Sequence, residues 1–296
     1  MSDKFRLHLN AIDIALLIYI CFQIIIVLLF GHGARDRLIV FYMTMAVITI
    51  FLIILPYQDK PSFLHFVKYF CPLPVVFLFF RVLGPQIQAL GLSTHDTVFN
   101  AVEKSILGIY PSFALQRIME VWLNEVSFAL YAVGIVLPIW VIIKLYDKHH
   151  YHLFENFILA VVLGCLMCLI ITTVYPVIGP AGALSNYYYL NFYGPYFSLA
   201  VPLVLQIISP QIGSFPAVYF CLLTISAYYI WDFGKAYVAA SFIILTAVFW
   251  GGIYLRYHYI EDALIALLIA FLASTIAGYV YYLEYEQPSK QPPNSL

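Results

Sequence analysis

His258 and Asp262 stand four residues apart in the run Tyr254-Leu255-Arg256-Tyr257-His258-Tyr259-Ile260-Glu261-Asp262. On a helix that spacing puts two side chains on one face, about 5–6 Å apart at Cβ. A carboxylate so placed accepts the proton of one imidazole nitrogen and leaves the other free as a nucleophile or base. An apolar stretch running to about Leu283 follows directly, so the pair sits at a membrane boundary. Ionisable groups at membrane depth are costly to keep, which makes such a pair a candidate for chemistry. The alternative reading is interfacial, because charged and aromatic residues commonly mark where a helix leaves the bilayer.

The chain around the pair is membrane-grade. Of 296 residues 64% are hydrophobic and only 10% charged, with a mean hydropathy of +0.92. A soluble domain carries about 25% charge, so an integral membrane protein is expected. Apolar runs of about 18–22 residues recur, which is the length of spanning helices rather than of barrel strands. The fold expected is therefore all-α, a polytopic bundle of about six to eight spans. A net charge of −1 argues against a nucleic-acid partner. Cys165 and Cys168 form a C-x-x-C inside an apolar run without a neighbouring His or carboxylate, and read as small core residues. No cofactor and no metal site is expected. The polar start Met1–Asn10 shows no leader pattern.

Candidate spans lie near 11–30, 38–57, 70–90, 124–145, 155–175, 214–231, 237–256 and 260–283. Leu190–Ser209 is a ninth apolar stretch, interrupted by Pro195 and Pro202. Parity in the eight-span scheme forbids it from crossing once, so it must lie at the interface or re-enter under cover of protein. Eight Lys and Arg residues fall on one side (Lys4, Arg6, Lys60, Lys68, Lys144, Lys148, Lys235, Lys290) and five on the other (Arg35, Arg37, Lys104, Arg117, Arg256). The positive-inside rule then places both termini in the cytoplasm and His258 on the lumenal or exterior side. Residues 91–122, 179–189 and 213–216 share that side and can roof one site. The turn Lys148-His149-His150-Tyr151-His152 falls on the opposite side and reads as a solvated loop. The organisation expected is N-terminal helices over 1–90, a core over 91–283 and a disordered polar tail over 284–296.

Tyr254-Leu255-Arg256-Tyr257-His258-Tyr259-x-x-Asp262 resembles the last signature of the type 2 phosphatidic acid phosphatase superfamily, in the branch of inositol phosphorylceramide synthases. Ile106–Pro111, Tyr175-Pro176-Val177-Ile178-Gly179-Pro180 and Ser214-Phe215-Pro216 are similar to further pieces of that branch, in order over about residues 90–283. The resemblance implies that His258 attacks phosphorus, forming a phosphohistidine, while Asp262 orients its imidazole. It also implies a second His, from a Pro-Ser-x-His motif, that protonates the leaving alkoxide.

The chain departs from that pattern at chemically important places. Pro216-Ala217-Val218-Tyr219 replaces Pro-Ser-x-His, so a phenol with a reference pKa near 10 stands in the acid's position. Gly251-Gly252 stands where the superfamily has an Arg six residues before the nucleophile, and no Lys-x₆-Arg-Pro motif occurs. Ser214, Lys104, Arg117 and Arg256 are the candidates to hold phosphate oxygens instead. The alternatives are loop roles: Ser93 and Asp96 as helix caps, Lys104 and Arg117 as solvated charges, Tyr175 and Tyr219 as aromatic wall. The function expected is a phosphatase or phosphotransferase acting on a membrane lipid phosphate. The second expectation is a catalytically impaired relative that binds lipid or a membrane protein partner. A transporter is disfavoured, since no inverted repeat of broken helices is evident.

Overall fold

The computed structural model of the chain describes residues 9–55, 62–146, 150–208 and 213–283. The chain is an all-α helical bundle, without a strand among the described residues. The helices are α1 (Ala11–Phe30), α2 (Arg35–Ile54), α3 (Phe63–Phe70), α4 (Pro72–Ala89), α5 (Asp96–Leu107), α6 (Val121–Val133), α7 (Val136–Leu145), α8 (Tyr151–Val174), α9 (Phe197–Ile208), α10 (Val218–Tyr229), α11 (Lys235–Tyr254) and α12 (Ile260–Tyr281). Among the described residues seven helical stretches are long and apolar enough to cross a bilayer: α1, α2, α3 with α4, α6 with α7, α8, α11 and α12. The shorter α10 fills the place of the expected sixth span. The expected polar tail, 284–296, lies outside the described residues.

Helix α8 is the axis of the bundle: 72% of its most apolar window is buried, against 28–39% for the other spans. Helices α1, α4, α10 and α12 all pack on it. The approach is close because small residues meet there. A Cβ at Gly164 would lie 2.8 Å from Ile225 Cδ1 and 3.1 Å from Cys221 Sγ. On α12 the buried row Ala266, Ala270, Ala273 and Ala277 offers little bulk along the same seam. Small faces let helix backbones approach where lipid gives no hydrophobic drive to associate. Cys165 and Cys168 are buried free thiols in this core, as their setting implied.

The N-terminal helices join the same core through a buried polar chain. Gln23 donates to Thr173 Oγ1 at 3.1 Å, Gln86 to Gln23 Oε1 at 2.6 Å, and the Tyr42 hydroxyl to Gln86 Oε1. Four helices, α1, α2, α4 and α8, are thereby held in one register, since an unpaired amide in an apolar interior is expensive.

One boundary differs clearly from expectation. The third span begins at Phe63, seven residues before the expected 70, because His65 and Lys68 turn inward and are buried. Leu190 onward agrees with the parity expectation that it does not cross: an extended segment leads into α9, whose 12 described residues reach about 18 Å, short of a 30 Å core.

Candidate active site at the His258 end

Helix α11 ends in a two-bond left-handed stop. Arg256 N donates to Ile253 O at 3.1 Å and Tyr257 N to Gly252 O at 2.8 Å, with Arg256 at φ 66°. Glycine is the usual occupant of that position, and a side chain there costs about 1–2 kcal/mol. The stop turns the chain sharply, so that His258 N also reaches Gly252 O, at 3.1 Å, and the imidazole folds back over that glycine. A Cβ on Gly252 would lie 3.3 Å from His258 Cδ2. Gly252 therefore makes room for the ring, while Gly251 lets the neighbouring helix approach, since a Cβ there would lie 3.2 Å from Tyr131 Cβ and 3.3 Å from Ser127 O.

Three separated segments close around His258 by backbone bonds. Gly213 N and Ser214 N both donate to Val177 O at 3.0 Å, and Ala181 N donates to Arg256 O at 2.9 Å. Gly179, at φ 100°, packs where a Cβ would meet Tyr257 O at 2.9 Å. Asp96 staples this junction. Its carboxylate accepts from Ile178 N at 3.1 Å, Gly179 N at 2.9 Å and the Tyr259 hydroxyl at 3.2 Å. The expected capping roles are thus corrected: Asp96 holds a distant loop, and neither it nor Ser93 caps α5 by a side-chain bond.

His258 Nδ1 lies 3.1 Å from Ser214 O and 3.5 Å from Asp262 Oδ2. A carbonyl has no proton to give, so Nδ1 carries the hydrogen, and in the neutral ring Nε2 keeps its lone pair. Nε2 faces the Tyr131 hydroxyl at a long 3.3 Å. Asp262 is fully buried, and its Oδ2 also accepts from the Ser214 hydroxyl and from Tyr259 N at 2.9 Å. Its bonds start α12 and fix Ser214, whose carbonyl in turn holds the imidazole. Asp262 thus bears on His258 both directly and through Ser214.

The other expected residues are dispersed. Tyr219 lines the same cavity as His258, but its hydroxyl donates to Tyr131 O at 2.9 Å. Gly134 makes space for that hydroxyl, since a Cβ there would lie 2.3 Å away. Ser214 spends its hydroxyl on Asp262. Lys104 and Arg117 are exposed, and the Lys104 ammonium lies 5.8 Å from the Tyr110 ring centre. Arg256 points away from His258, into a pocket of Tyr188, Phe192, Met119 and Leu190. Tyr175 is a wall residue, stacked 3.9 Å from the His95 ring. No cation touches His258 among the described residues.

The sequence reading missed Tyr131, whereas Glu103 stood in the polar stretch His95–Lys104 that sequence placed on this side as a source of carboxylates. Nothing marks Tyr131 within an aromatic-rich span. Glu103 is buried on α5, its Oε1 accepting from Ile260 N at 3.1 Å and its Oε2 unpartnered. Burial, with Glu261 and Asp262 adding to it, pushes its carboxyl up to about 7, against the helping bond from Ile260. The cavity between His258, Tyr131 and Tyr219 is apolar and about 10 Å³, near the size of one water.

At the other end of α8, His152 Nδ1 lies 3.1 Å from Glu155 Oε2 and His65 Nε2 lies 2.7 Å from Glu155 Oε1. His152 lies in the first turn of α8 rather than in a loop, with its side chain still 31% exposed beside the buried Glu155. Lys148 and His149 lie outside the described residues.

Comparisons with protein-family models, with curated proteins and with solved structures each gave no match.

Proposed function

We propose that the chain handles a lipid phosphate as a phosphatase or phosphotransferase like those of the type 2 phosphatidic acid phosphatase superfamily, with His258 as nucleophile. The observation that carries the reading is the state of His258. Its Nδ1 proton is committed to the Ser214 carbonyl, which leaves an Nε2 lone pair turned toward a cavity. Of the four pieces that resemble the superfamily, Tyr175–Pro180, Ser214–Pro216 and Tyr254–Asp262 take part in the junction around it, and Ile106–Pro111 does not. Nε2 forms the bond to phosphorus as the bond to the lipid alkoxide breaks. The alkoxide takes a proton from the phenol of Tyr219, which must first leave the Tyr131 carbonyl, and water or a second alcohol then displaces the imidazole, returning a proton to the Tyr219 phenolate. The acyl chains stay among the lipid-facing helices. In this reading the substrate is a membrane lipid, the site faces the lumen or exterior, and the termini are cytoplasmic.

A second reading is a catalytically impaired relative that binds a lipid or a membrane partner. It is favoured by the want of a cation at His258, where phosphoryl transfer needs charge neutralised, and by the small cavity. The purified chain, assayed with a panel of lipid phosphates, separates the two. Release or transfer of phosphate by the wild type, lost in His258→Ala, supports the enzyme; equal turnover by both sinks the catalytic proposal. Tyr219→His should raise the rate if that position supplies the acid, because an imidazole titrates nearer neutrality.

A further inference from the structure

Arg256 is 6% exposed, and no carboxylate oxygen lies within 4.0 Å of it among the described residues. Nη2 donates to Leu190 O at 2.9 Å and contacts Met119 Sδ at 3.3 Å, while Nε has no partner. The guanidinium lies 3.8 Å from the centre of the Tyr188 ring and 4.6 Å from that of Phe192. Guanidinium does not shed its charge in proteins, and a buried cation is normally paired. Here a carbonyl, a thioether and two ring faces stand in for the anion. The cation is also kept at a backbone position that favours glycine, so neither backbone nor burial explains the choice of Arg.

What covers it is a strap, residues 187–197, tied down chiefly by side chains of the segment before and within α6. Ser112 Oγ meets the Tyr188 hydroxyl at 2.8 Å, and Gln116 Oε1 accepts from Tyr189 N and Leu190 N at 3.1 and 3.3 Å. Asn124 donates to Tyr193 O at 3.1 Å, and Glu125 accepts from the amides of Tyr196, Phe197 and Ser198. Little apolar burial holds the strap: Tyr187, Tyr189, Tyr193 and Tyr196 are 59–73% exposed. Segments with few buried contacts open first. The strap is also bonded, through Asn124 and Tyr193 O, to the first turn of the apolar stretch Val121–Leu145, and the end of such a stretch is where lipid headgroups lie when it spans.

We propose that Arg256 is a recognition site for a phosphate-bearing anion, uncovered when the 187–197 strap lifts. Phosphate oxygens take the guanidinium's fork, Nε and Nη2 together, in place of the Leu190 carbonyl and the ring faces. The exposed Lys104 and Arg117 on the adjoining segment draw anions to the rim. The proposal rests on the lipid-phosphate reading but not on turnover, since it needs only binding. The anion's source is either a lipid headgroup or free phosphate.

The test is hydrogen exchange over 187–197 in the full chain, held in phosphatidylcholine nanodiscs with and without phosphatidate, and separately with inorganic phosphate. In the wild type phosphatidate should speed exchange of the strap by about fivefold or more, an opening driven by binding. Arg256→Gly should exchange fast throughout and ignore the lipid, while the end of α11 stays protected because glycine suits that turn. Arg256→Lys, which keeps charge without the fork, should respond weakly. A response to inorganic phosphate alone keeps the site and makes the ligand soluble. A wild-type strap unmoved by either anion, or one that responds equally in Arg256→Gly, overturns the proposal. A strap that opens in a protein that turns over no lipid phosphate leaves this site standing and removes the enzyme.

Discussion

Two histidines, one at each end of the bundle, meet carboxylates in opposite ways. Helix α8 separates their surroundings by 24 residues, about 36 Å. His65 has the tighter carboxylate contact, 2.7 Å to Glu155, with its side chain 1% exposed and its other nitrogen without a partner. Tyr69, Tyr146 and Tyr151 ring it closely. His258 sits 3.5 Å from its carboxylate, is held by a backbone carbonyl instead, and keeps 18% of its side chain exposed. The closer pair is the less available one. A short His–carboxylate contact therefore marks buried glue at least as readily as chemistry. What singles out His258 is a nitrogen with a lone pair, an opening beside it, and a turn that holds the ring from the backbone.

The sharpest break of this contrast is to truncate each ring. His258→Ala should lower turnover of a lipid phosphate by about 10³-fold or more, as loss of a nucleophile does. His65→Ala should leave turnover within a few-fold and lower thermal stability instead. If His65→Ala abolishes turnover in a folded protein, the two ends have been assigned the wrong way round. Next in size is Glu155. Leaving a buried polar group without its partner costs about 1–3 kcal/mol, so Glu155→Ala, which strands His65 Nε2, should unfold more readily than wild type. Glu155→Gln, which keeps the shape and a hydrogen-bonding oxygen, should lose much less. Equal losses for the two would mean that packing rather than charge holds this end.

The spans were readable because hydropathy adds up along the chain and the bilayer sets the length. The 11–30 and 260–283 segments come within a few residues of α1 and α12 for that reason. The third span was misjudged at its start because His65 and Lys68 look like a boundary until their inward direction is known. His258 and Asp262 were legible through spacing, but their connection through Ser214 was not, since it depends on a segment over 40 residues away. Arg256 shows the limit most plainly. Two residues from His258 in sequence, it is turned away by one left-handed residue, and φ 66° at an arginine has no signal in composition or period. Tyr131 and Glu103 likewise matter only through the neighbours that the fold brings to them.

Glu103 gives a smaller effect confined to the His258 end. Its folded-state pKa lies above the ordinary 4.5, at about 7, so the folded protein holds a proton that the unfolded chain has lost between those values. Stability should then fall as pH rises from about 4.5 to 7, by an amount on the order of 2 kcal/mol, and level off above that. Glu103→Gln keeps an oxygen for Ile260 N and removes the charge, so this sloping contribution should vanish. Thermal unfolding followed across pH 4.5–8 reads it directly. A slope that survives the substitution belongs to another group.

The finest test separates a nitrogen that is free from one that is merely unobserved. Tyr131 donates a long 3.3 Å bond to the same lone pair that must attack phosphorus. A neutral bond of that kind is worth about 0.5–1 kcal/mol, all of it stabilising the resting state. Tyr131→Phe should therefore raise kcat/KM by about two- to fivefold, with Nδ1 still held by Ser214. A fall of about 10²-fold would instead make Tyr131 the proton donor and release Tyr219 to a packing role against Gly134. Either result bears on the contrast between the ends. At His65 the corresponding ring nitrogen is bound at 2.7 Å, and its partner cannot step aside without leaving a buried polar group unpaired. At His258 only one weak bond stands between the imidazole and the cavity, so reactivity there depends on how little is spent to hold it.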